Sequence, residues 1–387
     1  MSYFILADCN DFFVSCERLF HPRLEGKPVI VLSSNDGCVV SRSQETKKMG
    51  IKMGEPYFKI KNFCEGKVIV FSSHFKFYGD ISHRVMDVLL STAEEMEVYS
   101  VDEAFLKFSE KRDHENLFQL CTEIKRKVKR WVGIPISLGI ASTKTLAKVA
   151  NDMAKKDRII GVFDLTSPEV QKEVLSNYLI EEVWGIGSRL KERLYALAIR
   201  TAWEFRESDP SLIRRKMGVV GERMLWELRG ISCLSLDEPA PKKNICYSRS
   251  FGRTITDLEE LSEALSSYVT GACVKLRAQN SCASAITVFL EAVLDSKEGT
   301  RRHSGMTTSF SQPTNFTPQI ITAAKACLNK MFFKSESYKK CGVILLDLIS
   351  QKLVHPDLFL GSINPKWRRI MDTVDALNFY YGRNTII

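Results

Sequence analysis

Apolar and polar positions along the first 165 residues follow both strand and helix patterns. The apolar run 3–7 ends at Asp8, which is typical of a buried strand with a carboxylate at its C-terminal end. Further strands are predicted at 27–32, within a hairpin over 98–108, and at 136–141. Helices are predicted at 12–19, 41–50, 81–95, 114–131 and 144–154, the last capped by Ser142 or Thr143. Strands and helices mixed in this order predict an α+β layer fold.

The rest of the chain contains two further patterns. Residues 166–232 predict short helices and no strand, and the polar, proline-containing stretch 237–244 resembles a linker. Residues 245–350 predict the order β-α-β-β-α-β, which is the split βαβ arrangement. One more helix is predicted at 366–380.

Composition supports a multi-domain protein of the cytosol. The 387 residues correspond to roughly two to three domains at about 150 residues each. Hydrophobic residues make up 44% and charged residues 26%, and the net charge of +9 fits nucleic acid or anionic substrates without requiring them. No apolar run approaches a membrane span or a secretory signal. The eleven cysteines form no Cys-x-x-Cys pair, so free thiols in a reducing compartment are expected.

Three carboxylates are the main candidates for chemistry. Asp8 ends a strand, and Asp102 and Glu103 lie inside an apolar hairpin, where unpaired ionised groups are costly. Divalent cations with oxygen ligands, above all Mg²⁺, would neutralise such a cluster, and two ions about 4 Å apart can activate a hydroxyl and hold a triphosphate. Alternatively, Asp8 caps the following helix and the other two residues form a turn. Likewise, Phe13 at the start of that helix either packs in the core or lies under a sugar.

Four segments together carry a resemblance to a known family. They are 8–17 (DCNDFFVSCE), 26–29 (GKPV), 100–105 (SVDEAF) and 139–148 (GIASTKTLAK). In this order they resemble the Y-family translesion DNA polymerases, and 33–40 (SSNDGCVV) is similar to the bacterial UmuC branch of that family. The resemblance is collinear from residue 3 to about 375.

The resemblance implies a right-hand polymerase. Its parts would be the palm (1–19 and 77–165), the fingers (20–76), a helix-hairpin-helix thumb (166–232), a linker (233–243), a split-βαβ little finger (244–350) and a C-terminal tail (351–387). The implied activity is template-directed, error-prone DNA synthesis past lesions during the SOS response, without proofreading.

The resemblance also implies roles for residues of the site. Asp8, Asp102 and Glu103 match the catalytic carboxylates, which would hold two Mg²⁺ ions together with the backbone carbonyl of Cys9. The positions that match nucleotide contacts are the backbone N–H of Phe12, the Phe13 ring as steric gate, Lys47 and Lys155. Many relatives have Tyr and Arg where this chain has Gln44 and Lys47, and Lys-Pro where it has Lys155-Lys156. Lysine lacks the bidentate fork of arginine, so looser nucleotide contacts are expected.

Candidate DNA contacts lie further along the chain. Segment 183–190 resembles a helix-hairpin-helix, whose turn exposes backbone N–H groups to phosphate; the residues concerned are Gly185, Gly187 and Arg189. Without the family resemblance, a Gly-x-Gly segment indicates only a turn. Period-two alternation places Arg249, Phe251 and Arg253 on one face of a strand, and the two arginines either contact template phosphates or belong to a solvated strand.

The tail holds one more candidate, because residues 355–359 resemble a degraded sliding-clamp peptide. Leu358 and Phe359 would fill the clamp pocket, although a surface loop is the alternative. The partners implied are primer–template DNA, dNTP, a cleaved UmuD dimer, the RecA filament and the beta sliding clamp, in the bacterial cytoplasm and without a membrane. A rival function is a catalytically silent DNA-binding scaffold, against which the three acidic residues argue.

Overall fold

The chain divides into two units, Met1–Glu238 and Pro239–Ile387. The computed structural model describes residues 2–109, 114–237, 241–295, 300–354, 365–382 and 385–386. Within these residues, no helix is both long enough and apolar enough to cross a bilayer. All eleven cysteines are unpaired thiols, as expected.

The first unit begins with a mixed succession of strands and helices. In chain order they are β1 (Ser2–Cys9), α1 (Phe12–Phe20), β2 (Val29–Leu32), β3 (Val39–Arg42), α2 (Gln44–Lys48), α3 (Tyr57–Cys64), β4 (Ile69–Ser72), α4 (Phe75–Leu90), β5 (Glu95–Val98), β6 (Glu103–Ser109), α5 (His114–Trp131), β7 (Ile136–Ala141), α6 (Lys144–Lys156) and β8 (Val162–Asp164). Four helices follow: α7 (Pro168–Asn177), α8 (Ser188–Tyr195), α9 (Ala202–Glu207) and α10 (Pro210–Leu228).

A five-stranded sheet lies at the centre of this unit, in the order β5-β6-β1-β7-β8. Strand β1 is antiparallel to both neighbours, and its register places Asp8 opposite Glu103 on β6 and opposite Ser137 on β7. One face of the sheet packs against α1, α4 and α5, and the other packs against α6 and the helices that follow. The predicted α+β layer fold of residues 1–165 is confirmed.

Helix α6 lies very close to the sheet because β7 has a glycine at the contact. A Cβ atom at Gly139 would lie 2.2 Å from the backbone nitrogen of Asn151 and 2.6 Å from the Ala147 carbonyl oxygen. The fully buried Asn151 side chain donates to the carbonyls of Leu6, at 3.1 Å, and Ser137, at 2.8 Å. The helix is thereby fixed to both β1 and β7. Its N-cap is Thr143, whose hydroxyl accepts from Leu146 N–H, so the second of the two expected caps is used.

A smaller sheet, in the order β3-β2-β4, forms a separate apolar cluster with α3. The prediction of a helix over 41–50 is wrong at its start. Val39 and Ser41 are buried in β3, and the helix begins only at Gln44 after its Ser43 cap. Strand β3 was missed because it has only four residues, two of them polar. The helix predicted at 81–95 is Phe75–Leu90, since the chain turns at Ser91 to enter β5.

Glu227 joins the later helices to α6. This fully buried side chain accepts hydrogen bonds from the backbone N–H groups of Thr145, at 3.0 Å, Cys233, at 2.6 Å, and Leu234, at 3.1 Å. Its own carbonyl accepts from the Thr143 hydroxyl at 2.8 Å. The start of the segment predicted as a linker is therefore hydrogen-bonded to the first unit.

Replacing Glu227 with Ala should lower the free energy of unfolding by about 3 kcal/mol, because one buried and two half-buried N–H groups lose their acceptor. Chemical denaturation followed by circular dichroism measures this loss. The control is Glu222→Ala on the same helix, which removes only a pair with exposed Arg214 and should cost less than about 1 kcal/mol. Equal losses for the two variants would contradict the assigned role of Glu227.

The second unit contains β9 (Ile245–Ile255), α11 (Leu258–Ala278), β10 (Ser281–Asp295), β11 (Thr300–Thr314), α12 (Thr317–Met331), β12 (Ser337–Ser350) and α13 (Pro365–Tyr381). The four strands form an antiparallel sheet in the order β11-β10-β12-β9, and the predicted β-α-β-β-α-β order is confirmed. Helices α11 and α12 cover one face. Helix α13 is attached by a bidentate ion pair between Arg277 and Asp375, at 2.6 and 2.8 Å.

Candidate active site

Two of the three predicted carboxylates lie side by side. Asp8 at the end of β1 is paired in register with Glu103 at the start of β6, so the two carboxyl groups are close enough to influence each other's pKa. Asp8 is only 6% exposed. The N–H of Cys9 donates to the carbonyl of Asp102 at 2.8 Å. The antiparallel pairing of β1 and β6 therefore brings together acids that are more than ninety positions apart in the sequence.

Two lysines of α6 contact this pair. Lys155 Nζ donates to Asp8 Oδ2 at 2.8 Å, and Lys148 Nζ donates to Glu103 Oε2 at 2.7 Å. Because the two lysines are seven residues apart, or about two turns, they share one face of the helix. The close approach of α6 at Gly139 places that face over the strand ends. Positive charge thus already surrounds the two acids.

The pKa values of Asp8 and Glu103 are shifted in opposite directions. Burial raises the pKa of Asp8 to about 7, Lys155 partly opposes this, and the hydrogen bond to Glu103 raises it further. For Glu103, burial alone would raise the pKa, but hydrogen bonds from Asp8 and Lys148 outweigh it and lower the value. Near neutral pH, Asp8 is therefore protonated in a large fraction of molecules, whereas Glu103 is ionised.

Asp102 makes a different set of contacts. The Ser100 hydroxyl donates to Asp102 Oδ1 at 2.6 Å and accepts from the N–H groups of Asp102 and Glu103, so Asp102 lies in a turn and Glu103 begins β6. In the part of the chain that the structure describes, no three His, Cys, Asp or Glu side chains converge as metal ligands. The donor set nevertheless fits a hard cation, because it consists of carboxylate oxygens and burial raises the pKa of Asp8, a cost that a bound cation would offset.

A cleft opens beside the acids, with an enclosed volume of about 190 Å³. Its walls include Asp8, Asp102, the start of α1 with Phe12 and Phe13, and four cationic side chains, which are Arg42, Lys47, Lys155 and Arg158. The predicted residues Lys47 and Lys155 thus lie in the same cleft as the carboxylates. Sequence patterns did not point to Arg42 or Arg158, and Arg158 lies beyond the end of α6, where no periodicity marks it.

Phe13 has a rigid support. Its ring stacks on Tyr78 with centroids 4.7 Å apart and an interplanar angle of 19°, and the edge of Phe75 contacts it at 5.7 Å. Tyr78 is buried, and its hydroxyl donates to Glu17 at 2.6 Å. Phe13 is half-buried, and it both packs on the core and lines the cleft.

Asp11 directly precedes α1 and contacts both α2 and the segment that follows α6. Its carboxylate contacts Lys47 Nζ of α2 and accepts from Arg158 Nη1 at 2.9 Å. Burial would raise the pKa of this carboxyl, but hydrogen bonds from Arg158 and Lys47 lower it overall. The family resemblance assigned no role to Asp11.

The Gly-x-Gly segment forms a turn directly before α8. Gly185 has a φ of 91°, in the left-handed region that favours glycine, and Gly187 is the N-cap of α8. Gly187 and Arg189 are both exposed. The exposed helix N-terminus has the form that binds a phosphate without reading sequence.

The arginines of β9 do not follow a regular alternation. Pairing with β12 shifts register between Ser250 and Ile255, so the strand bulges at this point. Arg249 is exposed with its guanidinium 6.0 Å from the Tyr247 ring, and Arg253 pairs with Glu260 of α11 at 2.6 Å. A single face shared by 249, 251 and 253 is therefore wrong. Leu358 and Phe359 lie outside the described residues.

The architecture is that of the Y-family DNA polymerases. A chimera of the Y-family polymerases Dbh and Dpo4 superposes with a TM-score of 0.75 at 23% identity, covering 90% of this chain and 99% of that one. The DinB crystal structure from Sulfolobus solfataricus matches with a TM-score of 0.54 at 24% identity and the same coverage.

Sequence comparison specifies the group more closely. Residues 7–152 match the impB/mucB/samB family, and 242–358 match the C-terminal domain of that family. Protein UmuC of Salmonella typhimurium is 39% identical over 99% of this chain and 92% of the relative, and Protein ImpB of the same organism is 37% identical over 99% and 93%. DNA polymerase IV of Bacillus velezensis is 25% identical over 98% and 90%. The chain belongs to the impB/mucB/samB family.

Proposed function

We propose that this chain is a template-directed DNA polymerase of translesion synthesis, which transfers a nucleotide from dNTP to a primer 3′-hydroxyl. The observation that carries the proposal is the Asp8–Glu103 pair, with Asp102 next to it, at the mouth of a cleft lined by four cations. A purely structural role would not require buried acids beside a cationic cleft. No proofreading activity is proposed, and the working context is the SOS response in the bacterial cytoplasm.

The parts of the proposed polymerase correspond to the elements described above. The five-stranded sheet with its helices is the palm (1–19 and 77–165), and the three-stranded sheet with α2 and α3 is the fingers (20–76). Helices α7–α10 form the thumb (166–232), residues 233–243 the linker, the second sheet the little finger (244–350), and α13 belongs to the tail (351–387).

Two Mg²⁺ ions are the proposed cofactors, with Asp8, Asp102, Glu103 and the Cys9 carbonyl as their ligands. When bound, such ions lower the barrier to attack of the 3′-hydroxyl on the α-phosphate and neutralise the charge on the triphosphate. Hydrogen bonds from Asp8 and Lys148 lower the pKa of Glu103, so this carboxylate is ionised and suited to act as a ligand.

The remaining residues of the cleft hold the nucleotide. The Phe12 N–H is among the first amides of α1, which have no acceptor within the helix and are suited to phosphate oxygens. Lys47 and Lys155 supply positive charge on either side of the triphosphate. The Phe13 ring, supported by Tyr78, lies under the sugar and leaves no room for a 2′-hydroxyl.

DNA contacts are proposed for the phosphate-binding turn with Gly185, Gly187 and Arg189, and for Arg249 and Arg253 of β9. Further partners, proposed from family membership, are a cleaved UmuD dimer, the RecA filament and the beta sliding clamp. The clamp would bind through Leu358 and Phe359.

Primer extension tests the proposal. With a primed template, dNTP and Mg²⁺, and with the UmuD and RecA proteins supplied, the wild-type chain should extend the primer, and Asp102→Ala should reduce extension by on the order of a thousandfold. Because Asp102 is half-buried in a turn, the variant should remain folded, which thermal unfolding verifies. Equal extension by both proteins, or none by either, would instead favour the DNA-binding scaffold.

A further inference from the structure

The Asp11 carboxylate binds two cations of the cleft at once. The side chain is 6% exposed, with Lys47 on Oδ1 and Arg158 on Oδ2, and each cation is about one-third exposed. The Gln44 amide oxygen, oriented by the same network, accepts from Lys47 Nζ at 3.0 Å and from Arg158. Lys47 comes from α2 and Arg158 from the segment after α6, so a single anion joins two separate parts of the unit.

This carboxylate does not cap its own helix. Asp11 is the N-cap residue of α1, where an aspartate ordinarily accepts a hydrogen bond from the amides of the first turn. Here its φ is 49°, in the left-handed region, and its side chain makes no capping bond. The carboxylate points across the cleft to the two cations instead. A role for the carboxylate at the two cations would explain why Asp11 adopts a left-handed backbone conformation and does not cap α1.

The two cations line the cleft proposed for the triphosphate, together with Lys155 and the start of α1. A triphosphate carries several negative charges, and its oxygens favour the same guanidinium and ammonium groups that now bind Asp11. A carboxylate and a phosphate cannot both take the full set of donors that Lys47 and Arg158 offer. Asp11 and the nucleotide are therefore competitors for these two side chains.

We infer that Asp11 is a built-in anion that occupies Lys47 and Arg158 until a nucleotide displaces it, and that Arg158 is a further triphosphate-binding residue. The inference rests on the proposed function, because it concerns the nucleotide site of that polymerase. Because the nucleotide must displace the Asp11 carboxylate, dNTP binds more weakly than it would to the four cations without Asp11. The carboxylate also offsets part of the positive charge of the cleft before a nucleotide binds.

The test is the equilibrium affinity of the full chain for dTTP. Asp11→Asn keeps the size of the side chain, removes its charge and suits the left-handed backbone. Because two partly exposed ion pairs no longer have to be broken, we expect the Kd for dTTP to fall about tenfold. Arg158→Ala should raise the Kd, and in that background the gain from Asp11→Asn should shrink, as a double-mutant cycle would show.

Two further ligands test whether the gain in affinity depends on the phosphate groups of dTTP. The gain in affinity should persist with inorganic tripolyphosphate and be absent with deoxythymidine, which has the base and sugar but no phosphate. Asp11→Gly, which also tolerates a positive φ, replaces the Asn variant should that protein not fold.

Failure of this inference can be distinguished from failure of the proposed function. If the charge-removed variant binds dTTP as wild type does, or more weakly, Asp11 positions the cations and the inference is overturned. An Arg158→Ala variant with wild-type affinity overturns the role of Arg158. If wild-type protein binds dTTP but does not extend primers, the inference stands and the polymerase proposal fails. A wild-type chain that binds neither dTTP nor tripolyphosphate overturns both.

Discussion

Asp8→Asn should produce opposite changes in activity and stability. Primer extension should fall by on the order of a thousandfold, because an amide cannot replace the carboxylate that is the proposed Mg²⁺ ligand. The metal-free protein should become more stable at pH 8, since the buried carboxylate is then ionised at a cost that the amide does not carry. The asparagine oxygen can accept from Lys155 and its NH₂ can donate to Glu103, which reproduces the pattern of the protonated acid.

The gain in stability should depend on pH with a definite sign. The pKa of Asp8 is raised from its ordinary 3.8 to about 7, so the folded state binds a proton that the unfolded chain has lost. The wild-type protein consequently loses stability as pH rises from about 4 to about 7, and the variant does not. Above pH 7 the difference should reach about 1–3 kcal/mol, and below pH 4 it should vanish.

Urea denaturation at pH 4, 6 and 8 in the presence of a chelator measures this difference. Glu95→Gln is the matched control, because Glu95 lies on the same sheet but forms an exposed pair with Lys107. The control should leave extension unchanged and stability within about 0.5 kcal/mol of wild type at each pH. If Asp8→Asn were destabilised at pH 8 like an ordinary core variant, Asp8 would not carry a raised pKa in the folded chain.

The large sheet and its carboxylates were predictable because their signals are local. An apolar run that ends in Asp8, and an apolar hairpin that contains Asp102 and Glu103, specify buried strands with acids at their ends. Antiparallel pairing of β1 and β6 then places Asp8 opposite Glu103. The second sheet was equally predictable, since each strand has ten or more residues of steady pattern.

Other features depend on contacts that no local pattern encodes. The short strand β3 is held by pairing with β2, which overrides the weak helical pattern at 41–43. The bulge in β9 breaks an alternation that looks regular in the sequence. Asp11, Lys47 and Arg158 come from three distant segments, so only the folded chain shows that one carboxylate pairs with two cations of the cleft.

Phe13→Ala should weaken discrimination against ribonucleotides by about two orders of magnitude. The Phe13 ring cannot yield to a 2′-hydroxyl, because it stacks on Tyr78, which is itself buried and hydrogen-bonded to Glu17. Removing the ring opens space for the hydroxyl, and a steric penalty of about 2–3 kcal/mol disappears. Single-turnover incorporation of dTTP and UTP opposite template adenine gives the ratio of kcat/KM directly.

Two further variants separate the ring from its support. Tyr78→Phe keeps the stack beneath Phe13 but removes the hydrogen bond to Glu17, so sugar discrimination should remain close to wild type. Tyr78→Ala removes the support and lets the Phe13 ring move, so discrimination should fall part of the way towards that of Phe13→Ala. A Phe13→Ala protein that extends primers and still rejects UTP as strongly as wild type would place sugar selection at another residue. The stack on Tyr78 would then serve packing alone, since Phe13 also belongs to the core of the large sheet.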